Sequence, residues 1–357
     1  MPCRSAHAPA DERWFGREAR RRRLIAPAGC LRGADVRSSV AARDRAGAGV
    51  ALSSGTGNLS QSWKPGAGPF YTRGAFLSEK RITAVLGAGA LGAAMAARLG
   101  ETGDEVRLWN RTPERARAGA AQARGVTAVA GTTEALSGSS AVLTVLRDGE
   151  AVAEVMAGAI SGLDPDAVWI QASTVGPRSA RALADLARDH GVAYLDAPVS
   201  GSTTPAREGR LVWLVAGADS ALNRARPVLD ALGSSVLHVG TGVEGSSLKL
   251  AVNAWMTAAT VAMSDVLALC DALGIDHATF VAALNAGPLA MPYELQKITS
   301  MDAGTYPAGF AVQLALKDID LAAELSPPSP LLGVVHDRLE QAVAAGHGSD
   351  DLAAVDF

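Results

Sequence analysis

The sequence predicts an α/β fold in two parts: a mostly parallel sheet with helices on both faces, then an all-helical domain, with one long helix joining them. Three observations predict it. Residues 81–92 read Arg-Ile-Thr-Ala-Val-Leu-Gly-Ala-Gly-Ala-Leu-Gly, an apolar strand that runs into Gly87-x-Gly89-x-x-Gly92 and then into an Ala-rich helical stretch. Apolar strand candidates at 81–86, 105–109, 141–146, 167–171, 192–196, 211–216 and 236–239 alternate with helical stretches at about 90–101, 113–124, 149–158, 177–190 and 219–232, the order that builds a parallel sheet. After Gly242 the alternation stops, residues 244–272 hold a Pro-free helical run rich in Ala, Leu, Val and Met, and further helical segments follow to about 346. The chain divides accordingly into a basic extension over 1–78, a Rossmann domain over 79–241 and a helical domain over 242–357.

The glycine turn comes first. A strand, a tight turn and a helix N-terminus make a cradle for a pyrophosphate. Gly87 permits the turn, Gly89 lets the backbone approach the phosphates, and Gly92 lets the helix pack close to the strand; Ala90 and Leu91 belong to the same cofactor cradle. The second strand ends at Trp109-Asn110-Arg111-Thr112. An acid at this place bonds the ribose 2′-hydroxyl of NAD, but here a neutral Asn110 precedes the cationic Arg111. A 2′-phosphate would meet a guanidinium, so NADP(H) is the expected cofactor, with NAD(H) possible. The plainer reading of Arg111 is a solvated residue at a helix start.

Further along, Ser173-Thr174-Val175-Gly176-Pro177 lies between a strand and a helix, at the carboxyl edge of the sheet where ligands bind. Its hydroxyls suit a carboxylate or the nicotinamide ribose, or simply cap the helix. Asp196-Ala-Pro-Val-Ser-Gly-Ser202 ends another strand, and amides around Ser200, Gly201 and Ser202 can form an anion-binding concavity. The long helix opens with Gly242-x-x-Gly245-x-x-x-Lys249-x-x-x-Asn253. Lys249 and Asn253, four apart, share a face of an otherwise apolar helix. A desolvated Lys has a lowered pKa and can take or return a hydroxyl proton, with Asn253 bonding the same oxygen. A snorkelling Lys at the helix start is the competing reading. Lys317-Asp318, on a late helix, reads by itself as a surface ion pair.

Composition bounds the rest. The 357 residues are 48% hydrophobic and 4% aromatic, with 38 Gly, so Ala and Val must fill much of the interior. No uninterrupted apolar run looks long enough to span a bilayer, and a soluble, cytoplasmic protein is expected. Cys3, Cys30 and Cys270 form no CxxC, and the six histidines are scattered without ligand spacing, so neither a structural disulfide nor a metal is expected. The net charge of −3 hides an asymmetry: residues 1–78 carry +8 and the remainder −11. An acidic body argues against nucleic acid as a partner, although Arg20 to Arg23 form a basic run. Residues 1–78 lack a period and are broken by Gly, Pro and Ser, as expected of a disordered extension or of sequence upstream of the true start.

In their order these motifs resemble the β-hydroxyacid dehydrogenase family, which includes 3-hydroxyisobutyrate dehydrogenases and tartronate semialdehyde reductases. The resemblance covers about residues 81–355, ending in Gly346-His-Gly-Ser-Asp-Asp351. It implies Lys249 as catalytic residue assisted by Asn253, a small substrate whose carboxylate is held by Ser173 and the Ser200–Ser202 backbone, cofactor contacts at Val145, Leu146, Arg147, Thr174 and Lys317, and a homodimer or homotetramer. Several positions depart from the family pattern. Ser202 replaces the second glycine of a Gly-Gly pair, Leu146-Arg147 replaces a frequent Leu-Pro, and Val252-Asn253 replaces an Asn-Asn pair. Related 6-phosphogluconate dehydrogenases carry His-Asn there, so Val252 argues against that decarboxylation. Imine reductases share the architecture but usually carry Asp or Tyr at the Lys position, so Lys249 favours a hydroxyacid or aldehyde. Imine reduction, and a catalytically silent cofactor-binding protein, are the competing functions.

Overall fold

A computed structural model of the chain describes residues 81–325 and 329–356; the expectations for residues 1–78 lie outside them. The first part runs β1 (Ile82–Leu86), α1 (Ala90–Glu101), β2 (Glu105–Trp109), α2 (Pro113–Ala121), β3 (Val126–Ala128), α3 (Thr132–Leu136), β4 (Ala141–Thr144), α4 (Gly149–Ala157), β5 (Val168–Gln171), α5 (Gly176–Asp189), β6 (Ala193–Asp196), β7 (Val199–Ser200), α6 (Thr203–Arg207), β8 (Leu211–Ala216), α7 (Asp219–Leu232) and β9 (Gly233–Gly240). The second part is α8 (Glu244–Leu273), α9 (His277–Asn285), α10 (Pro292–Ala303), α11 (Val312–Ala323) and α12 (Pro330–Ala342).

The nine strands make one sheet in the order β3-β2-β1-β4-β5-β6-β8-β7, with β9 on β8. Strands β1 to β6 pair in parallel, whereas β8 is antiparallel to β6 and β7. The order reverses between β1 and β4, so the loops leaving these two strands diverge and open a crevice at the carboxyl edge. Strands β4 and β5 are buried throughout and β1 nearly so, which is why they read as continuous apolar runs rather than alternations. Met95, Leu99, Trp213, Val228 and Leu229 fill one face; Leu136, Met156, Trp169 and Leu183 fill the other. A third core, including Val261, Leu267, Ile298, Ile319, Val335 and Leu339, belongs to the helical part.

The expected α/β order is present, with four additions: β3, α3, β7 and α6 span five residues or fewer, too few to show a period. Strand β9 begins at Gly233 rather than 236, because Gly233-Ser234-Ser235 has no apolar alternation yet pairs with the start of β8. One expectation is corrected. By length and composition α8 is apolar enough to cross a membrane. Its polar residues Lys249, Asn253, Thr257, Thr260 and Ser264 are nonetheless buried, and the helix packs against α5, α10, α11 and α12.

Candidate active site

At the β1–α1 turn, Gly87 has φ of +119°, and a Cβ there would overlap the Val145 carbonyl. A Cβ on Gly92 would overlap the Gly87 carbonyl oxygen. Both positions require glycine because backbone touches backbone. Gly89 differs: nothing lies within 4 Å of where its Cβ would be. The first turn of α1, Ala90 and Leu91 included, has no side-chain cap and no acid. Its free amides and the open ground above Gly89 fit a pyrophosphate. Asn110 braces this turn, its Oδ1 accepting from Ala88 N at 3.1 Å and its Nδ2 donating to the Thr112 carbonyl at 3.0 Å. Arg111 stands exposed beside it.

The loops after β4 and β5 lie side by side because those strands are neighbours. Ser173 is 3% exposed; its Oγ accepts from Leu146 N at 2.8 Å and donates to the Thr144 carbonyl at 3.1 Å. Expected at the substrate, this hydroxyl instead ties the two loops together. A serine after a strand looks the same in sequence whichever partner it takes. Arg147 is exposed and paired with Asp148 at 2.7 Å, which in turn caps α4 through Ala151 N at 2.9 Å. Gly176 (φ +73°) brings the start of α5 against Leu321 of α11, and the Thr174 carbonyl accepts from Lys317 Nζ at 2.7 Å. The cofactor-side loop and the late helix expected to act with it therefore meet. Gly201 has φ of +128°, with Leu211 and Pro205 where a Cβ would sit, so the Ser200–Ser202 bend is fixed by backbone.

Lys249 is 9% exposed and Asn253 1%, one turn apart on α8. No described residue forms a hydrogen bond with Lys249 Nζ. Burial brings its pKa down to about 8; Asp318 pulls the other way, and Lys317 adds to the lowering. Asn253 Nδ2 donates to Asp318 Oδ2 at 2.5 Å, while Asp318 Oδ1 accepts from Lys317 Nζ at 2.6 Å. With the amide nitrogen held by a carboxylate, Asn253 presents Oδ1, which is buried and has no partner. A buried acceptor without a donor costs about 1–3 kcal/mol, and a substrate hydroxyl would remove that cost. Hydrogen bonds thus link Asn253, Lys317 and the Thr174 carbonyl through Asp318, whose charge also acts on Lys249 and which sequence reasoning had left as half of a surface pair. Its adjacency to Lys317 was visible, but its contact with α8, 65 residues earlier in the chain, was not.

The two parts of the chain match two different family profiles. The profile of the NAD-binding domain of 6-phosphogluconate dehydrogenase matches residues 82–240, and that of the NAD-binding region of NADP-dependent 3-hydroxyisobutyrate dehydrogenase matches residues 243–356. A probable 3-hydroxyisobutyrate dehydrogenase of Mycobacterium bovis is 30% identical over 76% of this chain and 95% of its own length. Glyoxylate/succinic semialdehyde reductase 2 of Arabidopsis thaliana is 28% identical over 76% of this chain and 77% of its own. Among solved structures, Mycobacterium tuberculosis 3-hydroxyisobutyrate dehydrogenase with L-serine superposes with a TM-score of 0.70 at 28% identity, covering 78% of this chain and 98% of the other.

Proposed function

We propose that this chain, which belongs to the β-hydroxyacid dehydrogenase family and is an NAD(P)-dependent oxidoreductase, interconverts a small β-hydroxyacid and its semialdehyde with NADP(H) as preferred cofactor and Lys249 as the acid–base group. The observation that carries this reading is an almost buried lysine amine that forms no hydrogen bond among the described residues, one helical turn from an amide whose oxygen also lacks a donor there. A bound nicotinamide dinucleotide supplies or accepts the hydride. In the oxidising direction, neutral Lys249 takes the single proton of the substrate hydroxyl, and Asn253 Oδ1, which can only accept, is left for an N–H of the Lys249 amine or a second donor on the substrate. In the reducing direction, the Lys249 ammonium delivers the proton to the carbonyl oxygen. A pKa of about 8 leaves both forms populated near neutrality, the condition for a group that serves both directions. The bend at Ser200–Ser202 supplies amides for the carboxylate. Relatives named for 3-hydroxyisobutyrate and for glyoxylate and succinic semialdehyde support a short acid bearing an aldehyde or alcohol.

Consumption of NADPH is measured with a panel of short semialdehydes and cyclic imines, using the full chain and its Lys249→Ala variant. Turnover of semialdehydes is expected, with a loss of about 10²-fold or more in the variant and unchanged NADPH affinity by fluorescence titration. Turnover confined to the imines would replace this reading with imine reduction, and a variant of near-normal rate would remove Lys249 from the chemistry.

A further inference from the structure

We propose that Asp196 is a positioning residue: its carboxylate fastens the first turn of α8 to the edge of the sheet and thereby fixes where Lys249 stands. This rests on the reading of Lys249 given above.

Helices usually take their N-terminal cap from a neighbouring residue in sequence. At the start of α8 the cap position is Val243, which offers none. The acceptor comes instead from the last residue of β6. Asp196 is fully buried, and its two carboxylate oxygens accept from Ser246 N at 2.7 Å and Ser246 Oγ at 2.6 Å. Gly245 completes the joint. A Cβ there would overlap the Leu214 carbonyl oxygen and come within 2.7 Å of the Asp196 carbonyl oxygen, so only a glycine lets the helix backbone lie this close to β6 and β8. Ser246 and Lys249 are three residues apart, on one face of the helix and about 4.5 Å apart along its axis. The fastening and the ammonium are therefore separated by less than one turn.

The carboxylate has no cationic partner among the described residues. Burial raises its pKa to about 6, the two Ser246 bonds oppose that rise, and the charge of Glu244 adds to it. Tyr194, two residues earlier on β6, faces the same charge and is held neutral, its pKa raised by its own burial and by Asp196. The remaining support for an anion here is the amide end of a thirty-residue helix. A group buried at this energetic disadvantage is replaceable by a neutral residue unless its two acceptors are needed. On protonation one oxygen becomes a donor, and the paired acceptance from Ser246 is lost.

The test uses the full chain with lysine labelled at 13Cε, the Lys249 resonance being identified by its absence in Lys249→Met. Asp196→Asn and the milder Ser246→Ala are compared with the parent in Lys249 titration, kcat, KM for NADPH and the pH profile of kcat. The parent is expected to show Lys249 titrating near 8 and, with reduction followed as NADPH consumption, a fall of kcat below about pH 6. In both variants the Lys249 midpoint should move upward towards the ordinary lysine value, and kcat should drop about tenfold for the displaced geometry, with KM for NADPH unchanged. The acid limb should vanish in Asp196→Asn and persist in Ser246→Ala. Loss of thermal stability alone, with the Lys249 titration and the acid limb unaltered, would make Asp196 a purely structural residue and overturn the proposal. A moved Lys249 titration in a protein that turns over no semialdehyde would uphold the fastening and overturn the functional reading instead.

Discussion

Asp318 decides which end of the Asn253 amide is left without a partner. A carboxylate can only accept, so Nδ2 must turn to it and Oδ1 must turn away, and the same carboxylate holds Lys317 against the Thr174 carbonyl. The shared face of Lys249 and Asn253 was legible in the sequence from their four-residue spacing, but that spacing alone left a snorkelling Lys open. Asp318 was not, since neighbours in a helix point in different directions and its partner lies on another element. Arg111 is the residue on which the proposed preference for NADP(H) rests. It is exposed, beside an Asn110 already engaged with the turn, so no carboxylate competes for a 2′-phosphate. Arg111→Ala is expected to raise KM for NADPH about tenfold or more, the loss of a charge-assisted contact, and to leave KM for NADH almost unchanged. Equal changes for the two cofactors in steady-state kinetics would dismiss the phosphate contact.

Among the elements, the strand–turn–helix from β1 to α1 was readable residue by residue, down to the boundaries of α1 at Ala90 and Glu101. Its three glycines are not equivalent. Gly87 and Gly92 are demanded by contacts inside the fold, whereas Gly89 faces open ground. Gly92→Ala should therefore lower stability by more than about 2 kcal/mol through backbone overlap and weaken dinucleotide binding, both seen in thermal melts with and without NADP(H). Gly89→Ala should leave the unliganded melting temperature nearly unchanged and reduce only the shift produced by NADP(H). A matching loss of unliganded stability in the two variants would contradict this division. The elements that stayed hidden, such as β3 and α6, owe their form to pairing and packing on others rather than to a period of their own.

For the molecule as a whole, the mostly parallel sheet and the change to helices after β9 followed from patterning, while the strand order and the burden of charge in the interior did not. Lys249, with a folded pKa of about 8 against an ordinary 10.5, costs stability at neutral pH. The cost is absent above 10.5, grows as pH falls towards 8 and is complete below that, on the order of 3 kcal/mol. Asp196, raised to about 6, has the opposite dependence: its cost is present above 6 and is relieved as pH falls towards 4. Lys249→Met should accordingly be inactive yet more stable than the parent at pH 7 in urea titrations, with the advantage shrinking towards pH 10.5. A variant no more stable than the parent at pH 7 would mean that Asp318 compensates the burial of Lys249 in full.

The thirty residues of α8 make a rod of about 45 Å, pinned by Asp196 and Gly245 at one extremity with Lys249 about 8 Å from that end. Such a rod is a lever with its fulcrum at the sheet edge, within two turns of Lys249. A swing of about 10° carries the distal tip through roughly 8 Å but moves the amine by only about 1 Å. Any rocking of the far half is therefore felt least at the end where Asp196 and Gly245 hold the helix to the sheet.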